Sequence, residues 1–388
     1  MSEHKKILFI LGVLDSGGVA KSLVNLLNVI DLKKYDISLL LCSNEMGPYK
    51  SLLPPDVHVI TSEIISSVSS LSGSFHLLRR GHILMAMGVL LRMFVSLFDK
   101  AYAGYILSRL MSPINGEYDL IVDYNGQQQT YYMVDKLQAK KKVAFFHSDY
   151  EKWPYYYKMD KRYYPKLDAI FTVSQNCVNS LKRYFPQQSD KIQLMENILS
   201  VKTIESMAEM NVDVNTNAKW LLLTVGHVCK DKGTDLAIKA GKLLKDKGID
   251  YTWCFIGSTS ELYKFESLLK ECGVSENFRF LGLKSNPYPY FNQCDIVVHP
   301  SLFEGKSVAL DEAKLLCKPV VVTNFSTVND QFEDGVNANV VSMTPESVSD
   351  GIIDLLNNTD KRLSYVSWLK CHRCDNSSEV EKLYRLIE

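Results

Sequence analysis

Two glutamates separated by seven residues, Glu304 and Glu312, carry the sharpest chemical signal in this chain of 388 residues. They lie in Pro300-Ser301-Leu302-Phe303-Glu304-Gly305-Lys306-Ser307-Val308-Ala309-Leu310-Asp311-Glu312-Ala313, directly after the apolar run Ile296–His299. Gly305 frees the backbone, Ser307 can cap a helix, and Glu312 falls two turns into that helix. The backbone N–H groups of Gly305, Lys306, Ser307 and Val308 would face an anion. Glu304, in the loop, can accept from sugar hydroxyls. Glu312, in the helix, can take the paired hydroxyls of a ribose.

Three further stretches could contribute. Gly226-His227-Val-Cys-Lys230-Asp231-Lys232-Gly233 places a glycine and basic residues between a strand and a helix, which suits a diphosphate. By charge alone it also fits a solvated turn. Gly12-Val-Leu-Asp-Ser-Gly17-Gly18-Val-Ala-Lys21-Ser22 follows the first strand and lets backbone approach a ligand. It matches neither the dinucleotide fingerprint nor the phosphate loop. His147 closes the strand Val143–Phe146, where it is either structural or a polar group facing a ligand. No Asp-x-Asp occurs in the chain, so the expected site is metal-free, with Lys232 and helix amides neutralising a leaving group.

The elements that must position these residues follow from patterning. Ile7–Leu11, Ile37–Cys42, Leu120–Asp123, Val143–Phe146 and Ala169–Val173 read as buried parallel strands, with helices such as Lys21–Ile30 and Gln175–Tyr184 between them. A second series comprises Trp220–Val225, Tyr251–Ile256, Phe278–Leu281, Ile296–His299 and Pro319–Val322. The polar stretch Asn211–Lys219 precedes it, and the linker is expected near 198–219. This alternation predicts an α/β chain of two doubly wound domains, 1–200 and 201–369, with a ligand cleft between them. A helix near 370–388 is placed to pack back on the first domain.

Composition narrows the function. Lys+Arg and Asp+Glu both number 44, which argues against a nucleic-acid partner. The nine cysteines form no framework; Cys42, Cys254 and Cys317 sit in apolar runs, as reduced buried thiols do, and Cys371/Cys374 lacks a second pair for a metal. The polar N-terminus lacks the pattern of a leader, so a cytoplasmic location is expected. Residues 76–111 mix Arg79, Arg80, His82 and Arg92 with many apolar side chains. They read either as an element resting on an anionic bilayer or as helices packed on the first sheet. The Tyr- and Lys-rich segment Lys152–Lys166 suits sugar stacking, a membrane interface or a half-buried helix.

The Glu304/Glu312 arrangement resembles the Glu-x7-Glu signature of retaining GT-B glycosyltransferases, in particular glycosyltransferase family 4, whose bacterial members build capsules and exopolysaccharides. Gly17-Gly18 is similar to that family's acceptor-side glycine loop, and Gly226 to Gly233 to its diphosphate site. Val173-Ser174, Asn197 and Asp334-Gly335 stand where its "VS", "Asn-Gly" and "DG" elements recur. The chain departs from the pattern at His227, where the family has Arg, and at Asn197-Ile198.

The resemblance implies transfer of a hexose, with retention, from a nucleotide-diphosphate sugar to a glycan or lipid-linked acceptor, with no cofactor. It implies Glu304 and His147 in the catalytic centre and Gly226, His227, Lys232, Gly305, Lys306, Ser307, Val308 and Glu312 around the donor. Gly17 and Gly18 would lie on the acceptor side, with peripheral contact at the inner membrane. Two rivals are a nicotinamide-dependent oxidoreductase and a non-catalytic partner subunit of the same fold.

Overall fold

The computed structural model describes residues 4–14, 17–44, 46–212, 214, 216–373 and 375–388. Asp15 and Ser16 of the first glycine loop, Asp213 and Asn215 of the expected linker, and Cys374 lie outside them. The chain divides into two compact units, Met1–Ile198 with Ser377–Glu388, and Leu199–Asn376.

The first unit is built on β1 (Lys5–Leu11), β2 (Tyr35–Leu41), β3 (His58–Thr61), β4 (Glu117–Asp123), β5 (Gln138–Phe146), β6 (Ala169–Thr172) and β7 (Ile192–Leu194). They form one parallel sheet in the order β3-β2-β1-β4-β5-β6-β7. Successive side chains of a strand point to opposite faces. Accordingly Ile7, Phe9 and Leu11 enter one core and Leu8 and Ile10 the other. A strand buried on both faces must be apolar throughout, which is why β1 reads as an unbroken run.

The last turn of the chain belongs to this unit. Val380, Leu383, Tyr384 and Ile387 join the core beneath β1 and β2. The Tyr384 ring stacks on Tyr35 with centroids 4.6 Å apart, and its hydroxyl accepts from the Asp31 N–H at 2.9 Å.

The second unit repeats the plan with β8 (Trp220–Val225), β9 (Tyr251–Ile256), β10 (Phe278–Phe280), β11 (Ile296–His299), β12 (Val320–Thr323) and β13 (Asn339–Val341). Their parallel order is β10-β9-β8-β11-β12-β13. Leu221 and Leu223 face one core and Leu222 the other.

Sequence patterning misses β3, β7 and β13. Each lies at or next to a sheet edge and holds three or four residues, too few for a period to show. The stretch expected as a linker contains the helix Val201–Ala208. Its Ile204 and Ala208, one helical turn apart, are buried in the core of the second unit.

One glycine fixes the loops of the second unit. Gly233 has φ +68° and ends the loop after β8. A Cβ there would stand 1.9 Å from the Pro300 carbonyl oxygen in the loop after β11. Gly233→Ala therefore meets both a left-handed backbone and a clash with backbone that cannot rotate away. The expected cost is about 2 kcal/mol or more, read as a lowered midpoint in thermal or urea unfolding.

Candidate functional site

In an open sheet of this order, ligands bind outside the carboxyl ends of the strands where the order reverses. In the second unit that point lies between β8 and β11, with Leu222 beside Ile296 and Leu223 beside Val297. Gly226–Gly233 follows β8 and Pro300–Ser307 follows β11, so two motifs far apart in sequence become neighbours. The Leu302 N–H donates to the Asp231 carbonyl at 2.9 Å, which pins one loop to the other.

Glu304 stands where the loops meet, and it is 9% exposed. Its Oε1 lies 2.6 Å from the Lys232 Nζ, 2.9 Å from the His299 Nε2 and 2.9 Å from the Ser301 Oγ. No hydrogen bond from the described residues reaches Oε2. Burial alone would push this carboxyl up. The Lys232 ammonium and the His299 ring beside it hold it instead well below the usual carboxylate range. The Thr327 hydroxyl fixes the backbone by donating to the Glu304 carbonyl at 3.0 Å. The result is an ionised carboxylate with one oxygen anchored and the other available to a hydroxyl donor.

The helix Val308–Leu315 starts as its sequence predicts, with the Ser307 side chain accepting from the Leu310 N–H at 3.4 Å. Gln331 braces the same turn. Its Oε1 accepts from the Ser307 N–H at 2.9 Å, so this amide, expected to face an anion, is bonded within the protein instead, and its Nε2 donates to the Ser307 carbonyl and to Asp311, both at 2.8 Å. Gly305, Ser307 and Val308 are buried, and the Lys306 ammonium lies 3.8 Å from Asp311. Glu312 is 1% exposed, and its Oε1 accepts from the Tyr288 hydroxyl at 3.0 Å. Gly226 closes β8 with its N–H on the Ile256 carbonyl at 2.9 Å, while His227 is exposed. The structure thus brings Lys232 onto Glu304 itself, where the sequence had assigned them to different parts of a ligand.

The corresponding point of the first unit lies between β1 and β4. Gly17 precedes the helix Gly18–Leu27 in extended backbone, and its carbonyl accepts from the Lys21 N–H at 3.0 Å. Ser22 in that helix bonds the Tyr124 hydroxyl at 2.7 Å and the Asn197 Oδ1 at 2.6 Å. The His147 ring packs 4.7 Å from Tyr124 and 5.4 Å from Phe145, centroid to centroid. Burial pushes the imidazole down to about 4 against a hydrogen bond to the Tyr124 backbone, so the ring is neutral at pH 7. Its Nε2 is buried without a hydrogen-bond partner among the described residues. Ser22, Tyr124, Asn197 and His147 are neutral polar groups at this end of the unit, which suit a hydroxylated ligand.

Several residues escaped sequence reasoning. His299 and Ser301 flank the Pro300 of the motif but look like strand and turn. Tyr288, Thr327 and Gln331 lie on other elements and carry no local signature. Asp123 organises the turn after β4, accepting from the N–H groups of Asn125 at 2.9 Å and Gly126 at 3.0 Å. Asp160 is wholly buried between the hydroxyls of Tyr131 and Tyr150, each 2.7 Å away, and burial pushes it up to about 7. The Lys152–Lys166 segment resolves into short turns and the helix Tyr157–Tyr163, with Tyr163 and Tyr164 buried and Tyr155 exposed. Ser174 caps the helix Gln175–Tyr184, and Asp334-Gly335 forms a turn in which Asp334 accepts from the Val340 N–H at 2.8 Å.

Residues 208–367 match the family model described as Glycosyl transferases group 1. The chain is 22% identical over 206 residues to an alpha-D-kanosaminyltransferase of Streptomyces kanamyceticus, covering 51% of this chain and 53% of that one. It is 30% identical over 103 residues to the lipopolysaccharide glucosyltransferase WaaG of Escherichia coli, covering 26% and 28%. The chain therefore spans about half the length, or less, of these curated relatives. Among solved structures it is similar to Anabaena HepE in complex with UDP and glucose, with a TM-score of 0.72 at 15% identity over 98% of this chain and 99% of that one. WaaG's crystal structure gives 0.65 at 15% identity over 98% and 99%. These likenesses show the fold, two Rossmann-like sheets of the GT-B class, and the match to the group 1 model falls within the second unit.

Lys232→Met removes the ammonium but keeps the stem, and leaves Glu304 buried with less positive charge beside it. Glu304 has a depressed folded value, so its stabilisation is present above the ordinary value of 4.5 and fades as pH falls below it. Wild type should exceed Lys232→Met by about 2–3 kcal/mol at pH 7. The gap should narrow as unfolding is repeated toward pH 3, because the stranded carboxyl of the variant is then neutral. A gap independent of pH would show that the ion pair is not its source.

Proposed function

We propose that this protein is a retaining glycosyltransferase that moves a hexose from a nucleotide-diphosphate sugar to a glycan or lipid-linked acceptor in surface polysaccharide synthesis. The observation that carries this reading is the ionised Glu304, anchored through one oxygen beside Lys232 at the switch point of the second unit. The group 1 match over the same unit and the UDP bound by HepE, its structural neighbour, support it. The nicotinamide reading has no such support, since neither glycine loop carries the dinucleotide fingerprint.

In this reading the donor lies against the second unit. Its diphosphate draws Lys232 from Glu304, and Glu312 takes the ribose hydroxyls. The free Oε2 of Glu304 accepts from a hydroxyl of the transferred sugar and orients it. The acceptor oxygen bonds to the anomeric carbon as the carbon–phosphate oxygen bond breaks, and the acceptor's hydroxyl proton passes to the leaving phosphate on the same face. Lys232 and the positive end of the helix Val308–Leu315 take the charge of that phosphate without a metal. Gly17, Gly18 and the neutral His147 serve the acceptor.

The first unit also supports work at a membrane surface. The helix Ile83–Ser96 buries Ala86 and Val89 but exposes Ile83, Leu84, Met87, Leu90, Leu91 and Phe94, and Leu97 and Phe98 extend the patch. Leu84 and Phe98 are 83% and 78% exposed. Arg79 and Lys100 stand exposed beside it. No helix of the described residues is long and apolar enough to cross a membrane. An apolar face edged with cations fits the headgroup zone of an anionic bilayer, where a lipid-linked acceptor would be reached. The protein should co-float with liposomes containing phosphatidylglycerol at low salt, and Leu84→Glu/Phe94→Glu should remain in solution. Absence of wild type from the floated fraction would refute the surface assignment.

The two glutamates give the test of the donor site. In calorimetry with UDP and GDP, Glu312→Gln should weaken nucleotide binding by about tenfold, for loss of a charged acceptor. Glu304→Gln should leave it within about twofold while lowering turnover of the nucleotide-sugar, since its contacts grow toward the transition state. EDTA should change neither. Equal loss of nucleotide affinity in both variants would break this division, and restoration of activity by Mg²⁺ after chelation would break the metal-free reading.

A further inference from the structure

Three donors converge on Glu304 Oε1, and they differ in how firmly each is held. Lys232 reaches it on a flexible stem from a glycine-bounded loop, and its side chain is 30% exposed. His299 reaches it from the last position of β11, and its side chain is 4% exposed. The His299 ring lies edge-on to Phe325, with centroids 6.1 Å apart and planes at 69°. Its carbonyl accepts from the Thr323 hydroxyl at 3.2 Å, so strand pairing and packing both fix it. The Thr323 hydroxyl also bonds the Ser301 carbonyl, which ties the third donor to the same frame.

The direction of the His299 contact follows from charge. An ionised carboxylate has no proton to give, so the Nε2 of His299 must carry the hydrogen and donate it. Any anionic ligand at this switch point competes with Glu304 for the Lys232 ammonium, because both partners of an ammonium are strong acceptors. His299 cannot follow, because its backbone is held by the sheet and its ring is buried against Phe325.

We propose that His299 is the positioning residue of this site: it keeps Glu304 aimed when an anionic ligand draws Lys232 away. The identity of that ligand as a nucleoside diphosphate rests on the function proposed above, whereas the hold of His299 on Glu304 does not. Among the described residues the charged group bonded to His299 is Glu304, itself paired with Lys232; Phe325 packs against the ring, and Ser301 donates to the same carboxylate oxygen. The arrangement separates two tasks that one carboxylate would otherwise lose together. Lys232 is free to bind phosphate, and the carboxylate keeps one oxygen anchored and the other presented.

The test uses the full chain with nitrogen-15 histidine. The His299 Nε2–H resonance is assigned by its loss in His299→Gln. It should be protected from exchange in wild type and persist in Lys232→Met, which imitates departure of the ammonium. It should lose that protection in Glu304→Ala. Disappearance of the signal in Lys232→Met would overturn the proposal, since His299 would then depend on Lys232.

A second arm follows hydrolysis of UDP-glucose. His299→Leu should lower turnover roughly tenfold to a hundredfold while UDP affinity stays within about twofold, as expected when a reacting group is misaimed. His299→Gln, whose amide nitrogen can donate from the same side, should recover most of that loss. A His299→Leu protein at the wild-type rate, or a His299→Gln protein as poor as His299→Leu, would reduce His299 to packing and overturn its role. If wild type does not turn over UDP-glucose, the donor reading is at fault, and the resonance in Lys232→Met still decides His299.

Discussion

The contact between Lys232 and Glu304 is the interaction on which the second unit's site depends. A carboxylate buried this deeply is unfavourable in its charged form unless opposite charge and hydrogen bonds lie against it. The ammonium, the His299 ring and the Ser301 hydroxyl supply them. For Lys232 to arrive, the loop after β8 must lie on the loop after β11. That requires Gly233, where a side chain would strike the Pro300 carbonyl. Electrostatics and backbone geometry therefore support one another: the ion pair draws the loops together, and the glycine lets them touch.

The two units share a strand order and place different chemistry at the same topological point. The second gathers an ammonium, a carboxylate and the amide-bearing start of a helix, which is an environment for an anion. The first gathers the hydroxyls of Ser22 and Tyr124, the amide of Asn197 and an imidazole that burial keeps neutral. Such groups recognise hydroxyls without favouring charge.

Buried acids in the first unit serve the scaffold. Asp123 ties down the turn that follows β4, and burial pushes it up to about 6. Asp160 joins Tyr131 to Tyr150, and so fastens the aromatic segment after β5 to the helix Gln128–Lys136. The apolar face of Ile83–Ser96 has the opposite character. It leaves large side chains in solvent on one side while Ala86 and Val89 hold the other to the core. Met85 and Met93 pack partly against the same core, yet the outward side keeps more large apolar surface than a helix of a soluble domain usually shows.

By itself the sequence determined the fold class and the bounds of strands that are apolar for their whole length. Trp220–Val225, Tyr251–Ile256 and Ile296–His299 could be read to the residue for that reason. In contrast, β4 and β5 begin with partly exposed polar residues and start at Glu117 and Gln138 rather than at Leu120 and Val143. The sequence also determined the helix start at Ser307, since capping is a local matter of one side chain and the N–H three residues on. Edge strands such as Ile192–Leu194 were not legible, being too short for any periodicity. The partners of the motif residues were decided only in three dimensions. That Lys232 meets Glu304, that Tyr288 meets Glu312 and that His299 completes the anchor depends on β8 and β11 being neighbours, with other elements folded against them. Spacing along a chain reports which groups share an element. Which groups share a charge is settled by sheet order and burial, and these are properties of the whole unit.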